Sequence, residues 1–275
     1  MISTRDYEKY SIIPPPVENI PIIKESIIVI DSTHRDKSIY PSPNMYEIEL
    51  DTEIHDVISA KLLYANVSLS SYLINSSYNR IFLNISNVNH EIILENGDYT
   101  ILQLVSEIQT KINASIGGGI TCTYDAIKDR VSFVHTILNF TLNFTNPLSI
   151  ASIIGFGEQE YNSTANSLTA PYRIDLDAYK KYVVLFIEQF SLIESSFNKI
   201  LNGFAIIPKS FDSLNLCHDV KYVKRFQPPI QRLKKFKISF YDQRGNLYDF
   251  QNKDHHFEII VHSYAHQRRQ GSIFS

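Results

Sequence analysis

Four groupings in this chain have residue types at spacings that could do chemistry. His34-Arg35-Asp36 matches the protein-kinase catalytic triplet, whose aspartate accepts the substrate proton and which needs an asparagine five residues later for a metal ion. Pro41 stands at that position, and the 33 residues ahead of the triplet are too few for a nucleotide-binding lobe. Cys217-His218-Asp219 holds a nucleophile, a base and a carboxylate, but neighbours on a strand point to opposite faces and do not converge as a triad. His255, His256, His262 and His266 are metal-ligand types. On an extended chain His256 and His262 share a face but lie about 20 Å apart, at about 3.3 Å per residue, too far for one ion. Gly117-Gly118-Gly119 lacks the Gly-Lys-Ser/Thr of a phosphate loop and follows a helical pattern instead of preceding one, so it reads as a helix terminator. These readings predict no catalytic residue, no metal and no cofactor. Carboxylates brought together only by the fold, as in glycoside hydrolases, are the one enzymatic route left open.

Basic and aromatic residues interleave from Lys221 to Phe226, and basic residues recur from Arg232 to Lys237. Such a pattern serves a nucleic acid or acidic partner, or it lines edge strands with cations that discourage stray pairing; the second reading is preferred. The net charge is -3 and the isoelectric point about 6.3, where a phosphate-neutralising surface would push both upward, so nucleic acid is not an expected partner. Cys122 and Cys217 are the two cysteines, neither in Cys-x-x-Cys spacing. Both read as reduced, buried, small apolar residues, which suits a reducing cytoplasm. Asn66, Asn75, Asn84, Asn113, Asn139, Asn143 and Asn162 each precede a Ser or Thr by two positions, which reflects Asn- and Ser-rich composition more than a glycosylation code. No apolar window is long enough for a transmembrane helix, and Met1 to Tyr10 has the charges of both signs that a signal peptide lacks.

The elements that would position any site are mostly strands. Residues 1–25 form a proline-rich apolar stretch read as an extended N-terminal arm, carrying Ile12, Ile13, Pro14, Pro15, Pro16, Val17, Ile20, Ile22 and Ile23. It is too apolar for a free tail, so it lies on its own domain or on a neighbouring subunit. Ile27 to Ile30 then meet a polar knot, Asp31 to Asp36, and an extended Pro41-x-Pro43 corner leads into the alternating Tyr46, Ile48, Leu50. Arg35 with Asp31 and Asp36 would pin this corner by charge-assisted hydrogen bonds. Strands follow to residue 94. Thr100 caps a helix from Ile101 to Asn113 whose apolar residues, Ile101, Leu104, Val105, Ile108 and Ile112, share one face. A hairpin around Ala126 to Asp129, a strand at Phe140 to Phe144 and a short apolar helix at Leu148 to Ile154 complete a small α+β module over 95–157. Residues 158–170 read as a polar linker, 26–94 and 171–266 as the main β domain, and 267–275 as an exposed tail. Within the last β stretch, Asp242 to Gly245 reads as a hairpin turn with Leu247, Tyr248 and Phe250 on the return strand. Many short strands punctuated by Gly, Asn and Pro mean a mainly β sandwich or barrel.

Several stretches, in order, resemble internal and vertex capsid proteins of the nucleocytoplasmic large DNA viruses. They are the strand ending in Asp31-Ser-Thr-His-Arg-Asp36 with its Tyr40-Pro-x-Pro43 corner, Asn96-Gly-Asp-Tyr-Thr100 before the helix, Ile153-Ile-Gly-Phe156 closing the module, and Leu233 to Tyr248, an apolar strand then Asp-x-x-Gly-x-x-Tyr, followed by Asp254-His-His-Phe257. The resemblance implies a jelly-roll-type β-sandwich and a structural, non-enzymatic role in an icosahedral virion assembled in the host cytoplasm. It implies a penton at the five-fold vertex, a homopentamer whose arm contacts a neighbour, with the major capsid protein and other minor capsid proteins as partners. The alternatives are a minor capsid protein beneath the major lattice, or an attachment module whose 95–157 unit binds a receptor or glycan.

Overall fold

The structure is a computed structural model that describes residues 21–68, 71–190, 203–208, 214–215 and 223–265. In chain order its strands are β1 (Ile23–Asp31), β2 (Met45–Asn66), β3 (Arg80–Ile85), β4 (Val88–Ile93), β5 (Ile120–Asp125), β6 (Arg130–His135), β7 (Phe140–Asn143), β8 (Glu160–Asn162), β9 (Ser167–Thr169), β10 (Tyr182–Ile187), β11 (Ala205–Pro208), β12 (Leu214–Asn215), β13 (Val223–Tyr241) and β14 (His256–Tyr264). One α-helix among the described residues, α1 (Ile101–Ile116), lies between β4 and β5. The chain is mainly β, with the curled sheets of a jelly-roll-like β-sandwich.

The largest sheet runs β1-β14-β2-β13-β10-β11, with β12 also against β2, and all its pairs are antiparallel. Its two long strands, β2 and β13, cannot stay flat. Their register shifts between Arg225 and Ile230, where Pro228 and Pro229 offer no N–H to the ladder, and again between Leu233 and Lys235. The inward faces gather Phe190, Phe204, Phe236, Phe240, Phe250 and Phe257 into one core.

A second core is drawn from residues 73–179. Sheets β4-β3-β7-β8 and β5-β6-β9 build it together with α1. The helix starts where Thr100 and Gln103 form a reciprocal capping box, and it ends at Gly117, whose φ of 86° is left-handed. Leu104, Val105, Ile108 and Ile112 are its buried residues. On another face Asn113 clasps Ile120 through both its backbone N–H and C=O, at 2.9 and 2.7 Å.

Three expectations about elements are corrected. Leu148 to Ile154 is a series of turns and not a helix, because Arg80 of β3 takes its backbone: Arg80 N–H donates to Leu148 O and Ile150 N–H to Arg80 O. Residues 158–170 are not a bare linker. They hold β8 and β9, which pair with β7 and β6, joined by a tight turn in which Ala165 and Asn166 have φ of 48° and 64°. The return strand does not start at Leu247. Tyr248 and Phe250 plug the core instead, and β14 begins at His256 with β2 between it and β13.

Candidate functional site

The first polar segment after β1 becomes a buried knot with a residue from the far end of the chain. One turn of 3-10 helix, Ser32–His34, carries the backbone round the corner. Arg35 then turns inward and is buried. Its Nε donates to Tyr40 O at 2.9 Å, its Nη2 to Pro41 O at 3.1 Å, and its Nη1 to Ser32 O at 2.7 Å and to the Asp254 carboxylate. Ser32 Oγ donates to Asp254 at 2.9 Å and accepts from the His255 backbone N–H at 2.9 Å. The structure therefore brings together two stretches singled out above, Asp31–Asp36 and Asp254–Phe257. Partial burial works against the Asp254 charge, yet hydrogen bonds from Arg35 and Ser32 outweigh it and hold the carboxyl below its usual range.

Asp31 and Asp36 play local parts. Asp31 accepts from Thr33 N–H and Oγ, at 2.8 and 2.7 Å, and Asp36 accepts from Ser38 N–H and Oγ, at 2.9 and 2.6 Å. Each closes its own turn, so the carboxylate of the Arg35 pair is Asp254. Pro43 is buried and Pro41 exposed on either side of the corner. Beneath it Tyr46 Oη lies 3.0 Å from His255 Nε2, and His255 packs on Phe240 and Phe250. Burial pushes the His255 imidazole down to about 4, against the pull of Asp254, and burial also raises the Tyr46 phenol. The Arg35 guanidinium and the Asp254 carboxylate find their partners inside the chain, while His255 Nδ1 is buried with no hydrogen-bond partner among the described residues and Tyr40 and Tyr46 line a groove of about 560 Å³ beside the corner. The chemistry of the knot is that of a clamp.

The other chemical candidates are dispersed. His262 bridges Glu25 and Ser59 on the outer face of the main sheet, at 3.2 and 3.0 Å. Among the described residues no three His, Cys, Asp or Glu gather as a metal set. Cys122 is buried and its thiol is pushed up to about 12. Cys217, His218, Asp219, Lys221 and His266 lie outside the described residues. The cations in the second half of β13 face carboxylates of their own chain: Arg232 on Glu53 at 2.6 Å, Lys234 on Glu49 at 2.6 Å, Lys235 on Glu47 at 3.2 Å and Lys237 on Glu188 at 3.1 Å.

Of the arm residues, Ile12, Ile13, Pro14, Pro15, Pro16, Val17 and Ile20 lie outside the described residues, while Ile22 and Ile23 are exposed at the entry to β1. β1 ends the sheet order, with β14 as its neighbour. Ile28 and Ile30 face the core, so the alternation turns Ile23, Ile27 and Val29 outward, 55%, 57% and 61% exposed. A groove of about 630 Å³ runs beside Ile27 and Val29, lined also by Leu50, Ile54 and Tyr264 and by the polar Lys24, Asp51, Glu53 and His55. This apolar outer row was missed by sequence reasoning. The signal lay in the unbroken run Ile27 to Ile30, which is apolar on both faces although its strand sits at a sheet edge.

No curated protein matches the chain. The crystal structure of the mavirus penton protein is similar at 10% sequence identity over 87% of this chain and 99% of that one, with a TM-score of 0.42. Residues 16–185, more than half of the sequence, match a family of unknown function, DUF5901, and the chain belongs to that family.

Proposed function

We propose that the chain is a structural subunit of an icosahedral large-DNA-virus capsid, placed at the five-fold vertex as a penton and assembled by contacts between copies. The observation that carries this reading is the outer face of β1. Ile27 and Val29 are exposed apolar residues on the end strand of the described sheet, beside a groove, and Ile23 lies further along the same face beyond Glu25, directly after the apolar arm sequence. Among the described residues β1 ends the sheet, and an end strand with exposed apolar residues is a template for another chain, though Lys24 and Glu25 place charge at its start. The partner is a second copy, whose Ile- and Pro-rich arm has the composition to lie along that groove. The ordered motifs that resemble large-DNA-virus capsid proteins supply the viral setting, and their first and last members meet in the Arg35–Asp254 clamp. In this role the clamp orients β1 for assembly and needs no catalytic group. The major capsid protein and other minor capsid proteins would be the outward neighbours in the virion.

Light scattering on the purified full-length chain at several concentrations tests the reading. The expected mass is five times the 31.7 kDa of one chain, falling to the monomer when residues 1–23 are removed. A full-length monomer at every concentration overturns the vertex position and leaves a minor capsid protein ordered by the major lattice.

A further inference from the structure

The outer face of sheet β4-β3-β7-β8 is organised in a way that the assembly role does not require. Ile81, Leu83 and Ile85 of β3 and Leu142 of β7 enter the core, which turns the residues between them outward. Strand register arranges these into two cross-strand rows. One row reads Glu91, Phe82, Asn143, Glu160, and the next reads Asn89, Asn84, Thr141, Asn162. A groove of about 580 Å³ lies over them, bordered by His90, Thr145 and Asn146.

Each part of this face matches one part of a sugar. A saccharide ring offers an apolar C–H face and a rim of hydroxyls that both donate and accept. Half-buried Phe82 stands inside the first row as a stacking surface. The amides around it are held in place by their neighbours. Asn84 Nδ2 donates to Asn89 Oδ1 at 2.6 Å, Thr141 Oγ1 donates to Asn162 Oδ1 at 2.6 Å, and Asn143 Oδ1 accepts from Thr145 N–H and Oγ1 at 3.0 and 2.7 Å. An amide has two donor hydrogens and two acceptor lone pairs, so each keeps capacity for a ligand after these bonds, in a fixed geometry. The charge pattern selects the kind of sugar. Glu91 and Glu160 bracket the aromatic row, and with Arg80 paired to Glu91 the row still carries an excess of negative charge. That excess repels sialylated and sulfated chains and leaves hydroxyl recognition unopposed. Phe82 and Asn143 separate the two carboxylates, so the arrangement holds a sugar and does not cut one.

We propose that the groove over β4-β3-β7-β8 is a binding site for a neutral glycan, with Phe82 as the stacking platform and Asn84, Asn143 and Glu160 as hydroxyl partners. The full-length protein is screened against printed oligomannose, lactosamine and chitin oligosaccharides with sialylated and sulfated chains alongside, and the strongest neutral ligand is then titrated by calorimetry. A neutral ligand is expected to bind, and Phe82→Ala and Asn143→Ala should each weaken it about tenfold. Ser132→Ala, on the separate sheet β5-β6-β9, should leave affinity unchanged. Thermal melts establish that each variant is folded. Glu160→Gln, at an exposed position, keeps the test sharp if Phe82→Ala does not fold, with an expected loss of about threefold. Absence of neutral-glycan binding at millimolar concentration, preference for an anionic chain, or unchanged affinity in Asn143→Ala and Glu160→Gln overturns the site.

Discussion

Arg35 is buried and serves four acceptors, three of them backbone carbonyls. Arg35→Ala strips those acceptors of their donor and should cost about 3–5 kcal/mol. Arg35→Lys should recover only part, because a point ammonium cannot reproduce the planar fork. Urea titration of both variants checks this, and a loss under about 1 kcal/mol for the alanine would remove the clamp from the account of stability. His255 adds a pH dependence. Its folded pKa of about 4 lies below the ordinary 6.5 of the unfolded chain. Above pH 6.5 both states are neutral. As pH falls toward 4 the unfolded state gains a proton that the folded state refuses, so stability drops by up to about 3 kcal/mol. Burial raises the Asp242 carboxyl, which tilts the profile the other way, so the informative quantity is the difference from His255→Phe. That variant keeps the aromatic packing and should show a flatter slope between pH 6.5 and 4.5; equal slopes would refute the assignment.

At the scale of elements, two glycines separate backbone conformation from crowding. Gly117 and Gly155 have nearly the same φ, 86° and 82°. A Cβ on Gly117 meets open space, whereas one on Gly155 runs into the backbone carbonyl of Tyr172. Gly117→Ala should therefore cost about 1 kcal/mol and Gly155→Ala more than about 3 kcal/mol, read from melting curves; equal losses would mean that φ alone decides. Helix α1 was legible because its apolar spacing, capping threonine and terminating glycines agree, and Thr100→Ala should cost it about 1 kcal/mol. The turns at 148–154 were not legible: an all-apolar run has no period, and the backbone bonds that shape it come from Arg80. β8 and β9 hid in polar composition because their outer sides face water. The partner of Arg35 was hidden for another reason. Two carboxylates stand within four residues of it, and their commitment to Thr33 and Ser38 is a matter of geometry that spacing does not carry.

For the whole molecule, the exposed residues of β1 allow folding to be tested apart from the proposed assembly. Val29 is 61% exposed, so Val29→Lys should leave stability within about 0.5 kcal/mol while lowering the mass seen by light scattering. A variant that both unfolds and dissociates would mean that the row serves the fold instead. The same clamp that closes the main sheet also imposes a delay during synthesis. Ser32 and its partner Asp254 are 222 residues apart. At about 5–20 residues per second, β1 waits roughly ten to forty seconds on the ribosome for the strand that flanks it. The core of residues 73–179 is drawn from one continuous stretch and can close during that interval. Nascent chains on one message therefore present unfinished β1 strands to each other at high local density. Translation of β14 ends that exposure, so the ladder between β1 and β14 closes only after both cores have their other strands.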